Sequence, residues 1–183
     1  MRILDTEIAD VKLIEPQVYD DQRGYFFEAY NAQKFEKLMG FRPDFCQLNE
    51  SGSKRGTIRG LHLQKAPHAQ SKLVRVVYGE AMDVVLDCRP DSPTFGKHTS
   101  FELSSSNKRQ VWIPRGCAHG FQAVSEHCIL AYQVDAPYEP AAEISISVFD
   151  THLGINWQST TGVSVSNQDN LAMKFSEYVN HHH

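Results

Sequence analysis

Three short segments hold residues suited to moving protons on an anionic substrate. Arg59-Gly60-Leu61-His62-Leu63-Gln64 sets a histidine three positions after an arginine. Gln70-Ser71-Lys72-Leu73-Val74-Arg75 reads as a strand in which Lys72 lies opposite Leu73 and shares a face with Val74. Pro114-Arg115-Gly116-Cys117-Ala118-His119-Gly120-Phe121 reads as a turn that ends in a histidine. A histidine titrates near working pH and can take or return a proton, while an arginine fork suits a phosphate. A metal held by His62, His68 and His119 is the competing reading. It fails on spacing, because His62 is followed by Leu63 and Gln64 and the next histidine lies beyond Pro67. No G-x-G-x-x-G stretch is present to hold a dinucleotide. Acid–base chemistry on an anion, with neither metal nor redox cofactor, is the expectation.

The elements that must position these residues are mostly short strands. Leu73–Tyr78 runs into Gly79-Glu80 and returns as Ala81–Leu86, which predicts a hairpin. Thr99, Phe101 and Leu103 alternate with polar residues, and Val111-Trp112-Ile113 stops at Pro114. Cys128, Leu130, Tyr132 and Val134 share one face of a further strand, and Ile144, Ile146 and Val148 alternate with serines in the next. Helices are few. Asn31 is placed to cap a short one closed by Gly40, and Asp169 or Asn170 to start a second through Leu171, Met173 and Phe175. Strands recurring every 8 to 12 residues or so predict an all-β sandwich or barrel.

Composition narrows the function classes. At about 150 residues per domain, 183 residues make one domain, here placed at 1–180. Eighteen basic against 22 acidic residues, a net charge of −4, argue against a nucleic-acid surface. No apolar run approaches the roughly 18 residues of a membrane span. The acid-bearing start, Met1 to Glu7, lacks the stretch of a signal peptide, so a cytoplasmic location is expected. Cys46, Cys88, Cys117 and Cys128 are irregularly spaced and read as reduced, mostly buried thiols. His181-His182-His183 reads as a purification-tag remnant outside the domain.

P-x-G-x-x-H at Pro114–His119, preceded by a histidine and a Gly-Glu turn in an all-β chain, is the layout of a cupin-type jelly roll. The chain further resembles the dTDP-4-dehydrorhamnose 3,5-epimerase family from about Val11 to Trp157. The resemblance rests on Asp21-Gln22-Arg23-Gly24-Tyr25-Phe26-Phe27-Glu28, Gln47-Leu48-Asn49-Glu50-Ser51, Arg59-Gly60-Leu61-His62 and Ala69–Arg75. It continues through Asp91–Gly96, Trp112-Ile113-Pro114 and His119-Gly120-Phe121, with Tyr132, Tyr138 and Glu143 where the family keeps such residues. It implies cofactor-independent inversion at C3 and C5 of dTDP-4-keto-6-deoxy-D-glucose to dTDP-4-keto-L-rhamnose, in a homodimer with no nucleic-acid or membrane partner.

By that resemblance His62 is the base, Asp169 its partner carboxylate, Tyr132 the acid on the opposite face and Lys72 the cation at the enolate oxygen. Arg23, Arg59 and His119 fall at the diphosphate and sugar. Glu28, Gln47, Asn49 and Glu143 make polar contacts to substrate, and Tyr138 stacks on the thymine. A homodimer of this kind would let Arg23 and Glu28 complete the neighbour's site. Each residue also has a plainer reading. His62 could be structural, Tyr132 a core aromatic, Lys72 and Arg59 solvated surface cations, Glu143 an exposed strand position and Asp169 a helix cap. Arg75 and Asp83 suit structural or site roles equally. Leu63, Ala66, Cys117 and Gln168 depart from the family pattern around substrate recognition, which keeps open a related epimerase that inverts one centre or takes another nucleotide sugar. A non-catalytic sugar-nucleotide-binding cupin is the alternative from another class.

Overall fold

The computed structural model describes residues 1–158 and 162–182. Along the chain the first strands are β1 (Arg2–Asp5), β2 (Lys12–Glu15), β3 (Val18–Asp21) and β4 (Gly24–Phe27), followed by helix α1 (Ala32–Met39). Then come β5 (Gln47–Lys54), β6 (Ile58–Gln64), β7 (Lys72–Tyr78), β8 (Glu80–Asp87), β9 (His98–Ser104) and β10 (Gln110–Ile113). The chain closes with β11 (Cys117–Ala123), β12 (His127–Val134), β13 (Glu143–Ser145), α2 (Asn167–Asn170) and α3 (Phe175–His182).

Two antiparallel sheets carry the fold, in the orders β1-β2-β10-β7-β12-β5 and β13-β6-β11-β8-β9, while β3 and β4 form a separate hairpin. Inward-facing residues of both sheets, among them Val74, Val76, Val85, Phe121 and Leu130, make one buried core. The outer face of the five-stranded sheet buries Ile58, Leu61, Val84 and Leu86 under Ile144, Ile146, Val148 and Tyr178 from the C-terminal region. On the outer face of the other sheet, α1 lays Phe35 against Leu73 and Trp112. Period-two patterning explains this layout, since each strand feeds one apolar row inward and a second row to whatever covers its back. The all-β, cupin-type jelly-roll architecture agrees with the sequence reading.

Helix α1 forms as its ends foretell. Asn31 accepts from the Lys34 amide at 3.1 Å, and Gly40 closes the helix at φ 79°. The predicted hairpin of residues 73–86 does not form, because β7 pairs with β10 and β12 whereas β8 pairs with β9 and β11. Gly79, at φ 76°, is a corner between the two sheets. A Cβ there would meet His127 O at 2.1 Å, so the corner requires glycine. Alternation in two adjacent amphipathic strands is the same whether they pair together or face each other across a core, which is why sequence could not separate the cases. The strand through Ile144–Val148 is shorter than its pattern: Ile146 still exchanges backbone hydrogen bonds with Leu61 of β6 while bridging Met173 on its other side, and the chain turns at Val148. The C-terminal helix is split in two, and α2 is capped by Ser166 rather than Asp169 or Asn170. His181 continues α3, while His183 of the tag-like stub lies outside the described residues.

Candidate active site

Strand β6 does not alternate regularly, and the irregularity aims the site. Its register with β11 pairs His62 with His119 but Arg59 with Phe121, a one-residue shift at Gly60. Ile58, Leu61 and Leu63 therefore pack into the outer core while Arg59 and His62 both reach the inner side. The two strands touch closely there. A Cβ on Gly60 would sit 2.5 Å from Gly120 Cα, and one on Gly120 would sit 2.7 Å from the Arg59 carbonyl oxygen. A glycine in the interior of each of the two strands is the sequence sign of this close approach.

The inner side opens into a cavity of about 830 Å³ between the sheets. Its wall includes Arg59, His62, Lys72, His119, Tyr132 and Asp169, six of the twelve residues expected from the sequence. They come from five elements, β6, β7, β11, β12 and α2.

His62 and Asp169, 107 residues apart, meet with Nε2 and Oδ1 2.5 Å apart. Asp169 is 2% exposed. Ser166 Oγ fixes the turn beneath it by accepting the Asp169 amide at 3.0 Å. Burial pushes the Asp169 carboxyl up, but the bonds from His62, Ser166 and the Gly60 amide outweigh it and hold the group below the usual carboxylate range. A carboxylate only accepts, so His62 Nε2 carries the proton and Nδ1 is left without a protein partner among the described residues. Asp169 is thus a histidine partner and not a helix cap.

Lys72 is buried, not a solvated cation, with Nζ donating to the His62 carbonyl at 3.2 Å and lying 6.0 Å from the Tyr132 ring centroid. Burial lowers its ammonium to about 8, against the upward pull of Glu143 and Asp83. Tyr132 packs on the inner core beside Leu130, as its strand face foretells, yet its ring also borders the cavity. Burial raises its phenol, and a bond from Asn49 only partly offsets this. Arg59 donates Nε to Ser53 Oγ and Nη2 to the Gly52 carbonyl, both at 3.1 Å, and stays exposed at the mouth. His119 Nε2 lies 2.7 Å from Asp83 Oδ2, a second buried histidine–carboxylate pair. His68 is exposed on a turn and is not on the cavity wall, and among the described residues no group of three or more histidine, cysteine, aspartate or glutamate side chains is placed to hold a metal ion.

The other six expected residues lie outside the cavity wall. Gln47 donates to Asn49 at 2.7 Å, the Tyr138 amide donates to Gln47 at 3.3 Å, and the Tyr138 hydroxyl donates to Glu143 at 2.6 Å. This linked group adjoins the cavity through Asn49, the register partner of Tyr132. Tyr138 is 53% exposed. Arg23 sits on the β3–β4 hairpin, paired with Asp21 at 2.5 Å, and Glu28 pairs with Lys34 and Asn31. Neither reaches the cavity of its own chain. Asp83 is the residue sequence reasoning left undecided. The usable signal was an acid in the middle of a strand of apolar residues, on the face it shares with Ala81 and Val85 of the inner core.

Residues 5–177 match the family model described as dTDP-4-dehydrorhamnose 3,5-epimerase. The chain is 45% identical over 172 residues to the dTDP-4-dehydrorhamnose 3,5-epimerase of Salmonella typhimurium, covering 94% of each. The crystal structure of a dTDP-6-deoxy-D-glucose-3,5-epimerase from Legionella pneumophila, in complex with dTDP-4-keto-L-rhamnose, superposes with a TM-score of 0.92 at 42% identity. That match covers 96% of this chain and 93% of the other. A 4-keto-6-deoxy sugar epimerase from the novobiocin biosynthetic gene cluster of Streptomyces spheroides gives 0.95 at 34% identity, over 99% and 90% of the two chains.

Proposed function

The chain belongs to the dTDP-4-dehydrorhamnose 3,5-epimerase family, and from that premise we propose how its own residues invert C3 and C5 of dTDP-4-keto-6-deoxy-D-glucose. The ketone at C4 acidifies the hydrogens on both neighbouring carbons. Inversion then needs a base on one face, a proton donor on the other and a positive charge where the enolate forms. The reaction removes and returns protons with no change of oxidation state, so its balance calls for no cofactor.

His62 Nδ1 takes the proton, and the Asp169 carboxylate stabilises the imidazolium that results. Lys72 places its ammonium at the enolate oxygen. Tyr132, whose phenol burial keeps protonated, returns a proton from the opposite side. Arg59 and His119 hold the diphosphate and sugar, Tyr138 stacks on the thymine, and Gln47, Asn49 and Glu143 make polar contacts. The protein works as a homodimer, one domain of residues 1–180 per chain, in which Arg23 and Glu28 serve the neighbour's cavity. That assignment is supported by the absence of both residues from the wall of their own cavity and by the exposed Tyr25 and Phe26 of the β3–β4 hairpin that carries Arg23. Among the described residues no helix is long and apolar enough to cross a membrane. A cytoplasmic location is part of the proposal and rests on the sequence reading alone.

The observation that carries this reading is the His62–Asp169 pair at 2.5 Å, with the buried Lys72 bonded to His62 in the same cavity. Proton NMR of dTDP-4-keto-6-deoxy-D-glucose with the enzyme in deuterium oxide tests it. Conversion with loss of signal at both C3 and C5 is expected. Exchange at one carbon alone would mean a single-centre enzyme, and exchange at neither would remove the epimerase reading.

A further inference from the structure

One wholly buried group on the cavity's inner side has no part in the roles given above. Asp83 lies on β8, in register with Phe121 of β11 and Phe101 of β9, and is 0% exposed. Its Oδ2 is 2.7 Å from His119 Nε2, and its Oδ1 has no hydrogen-bond partner. A buried carboxylate with half its accepting capacity unused is expensive to keep unless its charge is answered nearby. Two nitrogen groups answer it. His119 is 6% exposed on the cavity wall, beside His62 in the strand register. Lys72 faces it from the opposite sheet, with Asp83 and Glu143 as its acidic neighbours.

We propose that Asp83 is a positioning residue for the epimerisation, a buried anion that fixes the ring of His119 and anchors Lys72 beside it where the substrate's negative charge must lie. The proposal rests on the reading of this cavity as the epimerase site and deepens it. The arrangement repeats the logic of the His62–Asp169 pair. Because Asp83 can only accept, His119 holds its proton on Nε2, and Nδ1 is the nitrogen without a protein partner among the described residues. One carboxylate thus orients the base, and a second orients the residues that receive charge. The titratable groups facing Asp83 are His119 of β11, Lys72 of β7 and Cys128 of β12. Beyond them stand His62 of β6, Tyr132 of β12 and Glu143 of β13.

The test compares Asp83→Asn with the unaltered protein by two readouts that packing alone would not move. The first is imidazole nitrogen NMR of the free enzyme. His119 is expected to show one tautomer, with the proton on Nε2, and to lose that fixed state in the variant while His62 keeps its own. The second is the pH profile of kcat/KM. Its alkaline limb, set by Lys72, should move to lower pH by about half a unit or more, with kcat/KM down about tenfold. An unchanged His119 tautomer, or an unmoved limb with activity merely reduced, overturns the proposal. If Asp83→Asn does not fold, the unaltered protein decides, since His119 with its proton on Nδ1 or in tautomeric exchange also overturns it. A protein that turns over no keto sugar but shows the His119 change would sink the epimerase reading and leave the Asp83–His119 pairing supported.

Discussion

Replacing Lys72 by methionine should make the protein more stable and nearly inactive. Its ammonium falls from an ordinary 10.5 to about 8 because burial disfavours the charged form. Some 2.5 pKa units at 1.36 kcal/mol each amount to ~3 kcal/mol by which the fold is penalised at pH 7, where the group is charged in both states. The sign follows from proton counts. Between about pH 8 and 10.5 the unfolded chain binds more protons than the folded one, so the penalty shrinks as pH rises through that window and is gone above it. Methionine fills a similar volume with no charge to desolvate, although Glu143 and Asp83 lose a cationic neighbour. A net gain of about 1–3 kcal/mol at pH 7 corresponds to a Tm rise of roughly 3–10 °C for a chain of this size. Thermal melts of both proteins at pH 7 and pH 10.5 read the effect, since other titrating groups cancel in the difference. The gain should be largely lost at pH 10.5. Activity should fall by about 10²–10³ if the ammonium stabilises the enolate. A gain independent of pH, or a loss of stability at pH 7, would refute the reasoning.

Other substitutions separate the remaining roles. Tyr132→Phe should leave deuterium exchange at the substrate carbons running while inverted product forms about 10²-fold more slowly, because abstraction survives and delivery to the other face does not. Gly60→Ala drives a Cβ into Gly120 Cα at 2.5 Å, so it should cost about 3 kcal/mol or more and be read as a lower denaturation midpoint with the cavity disrupted. Mixing Arg23→Ala and His62→Ala subunits, each inactive alone, should restore up to about a quarter of the activity, since half the dimers would then carry one intact site. No recovery would mean that Arg23 serves its own chain or none.

Much of this was legible in the sequence, and the parts that were not share a cause. The caps of α1 were readable because Asn31 and Gly40 act within a few residues of themselves. The convergence of Arg59, His62, Lys72, His119, Tyr132 and Asp169 was readable through the family resemblance, which assigns all six to one site, and the fold brings them to one cavity. The hairpin expected at Gly79 failed because strand patterning reports which residues are inside and not which strand lies alongside. The register shift at Gly60 breaks simple alternation along β6, so that Ile58 and Leu61, three residues apart, share the outer core while Arg59 and His62 share the inner side. Lys72 and Asp83 were ambiguous for a similar reason, since a charged residue in a strand looks solvated until the opposite sheet is placed over it. Arg23 and Glu28 stay outside their own cavity, a placement that patterning within short segments does not disclose.

The central claim is that His62, held by Asp169, removes the proton. Its most direct test follows deuterium incorporation at C3 and C5 in His62→Ala and Asp169→Asn beside the unaltered enzyme, with folding verified by melting. Exchange at both carbons should be abolished in His62→Ala and slowed by about 10² or more in Asp169→Asn, whose amide no longer stabilises the imidazolium. Undiminished exchange at either carbon in folded His62→Ala would contradict it, and the base would have to be sought elsewhere on the cavity wall.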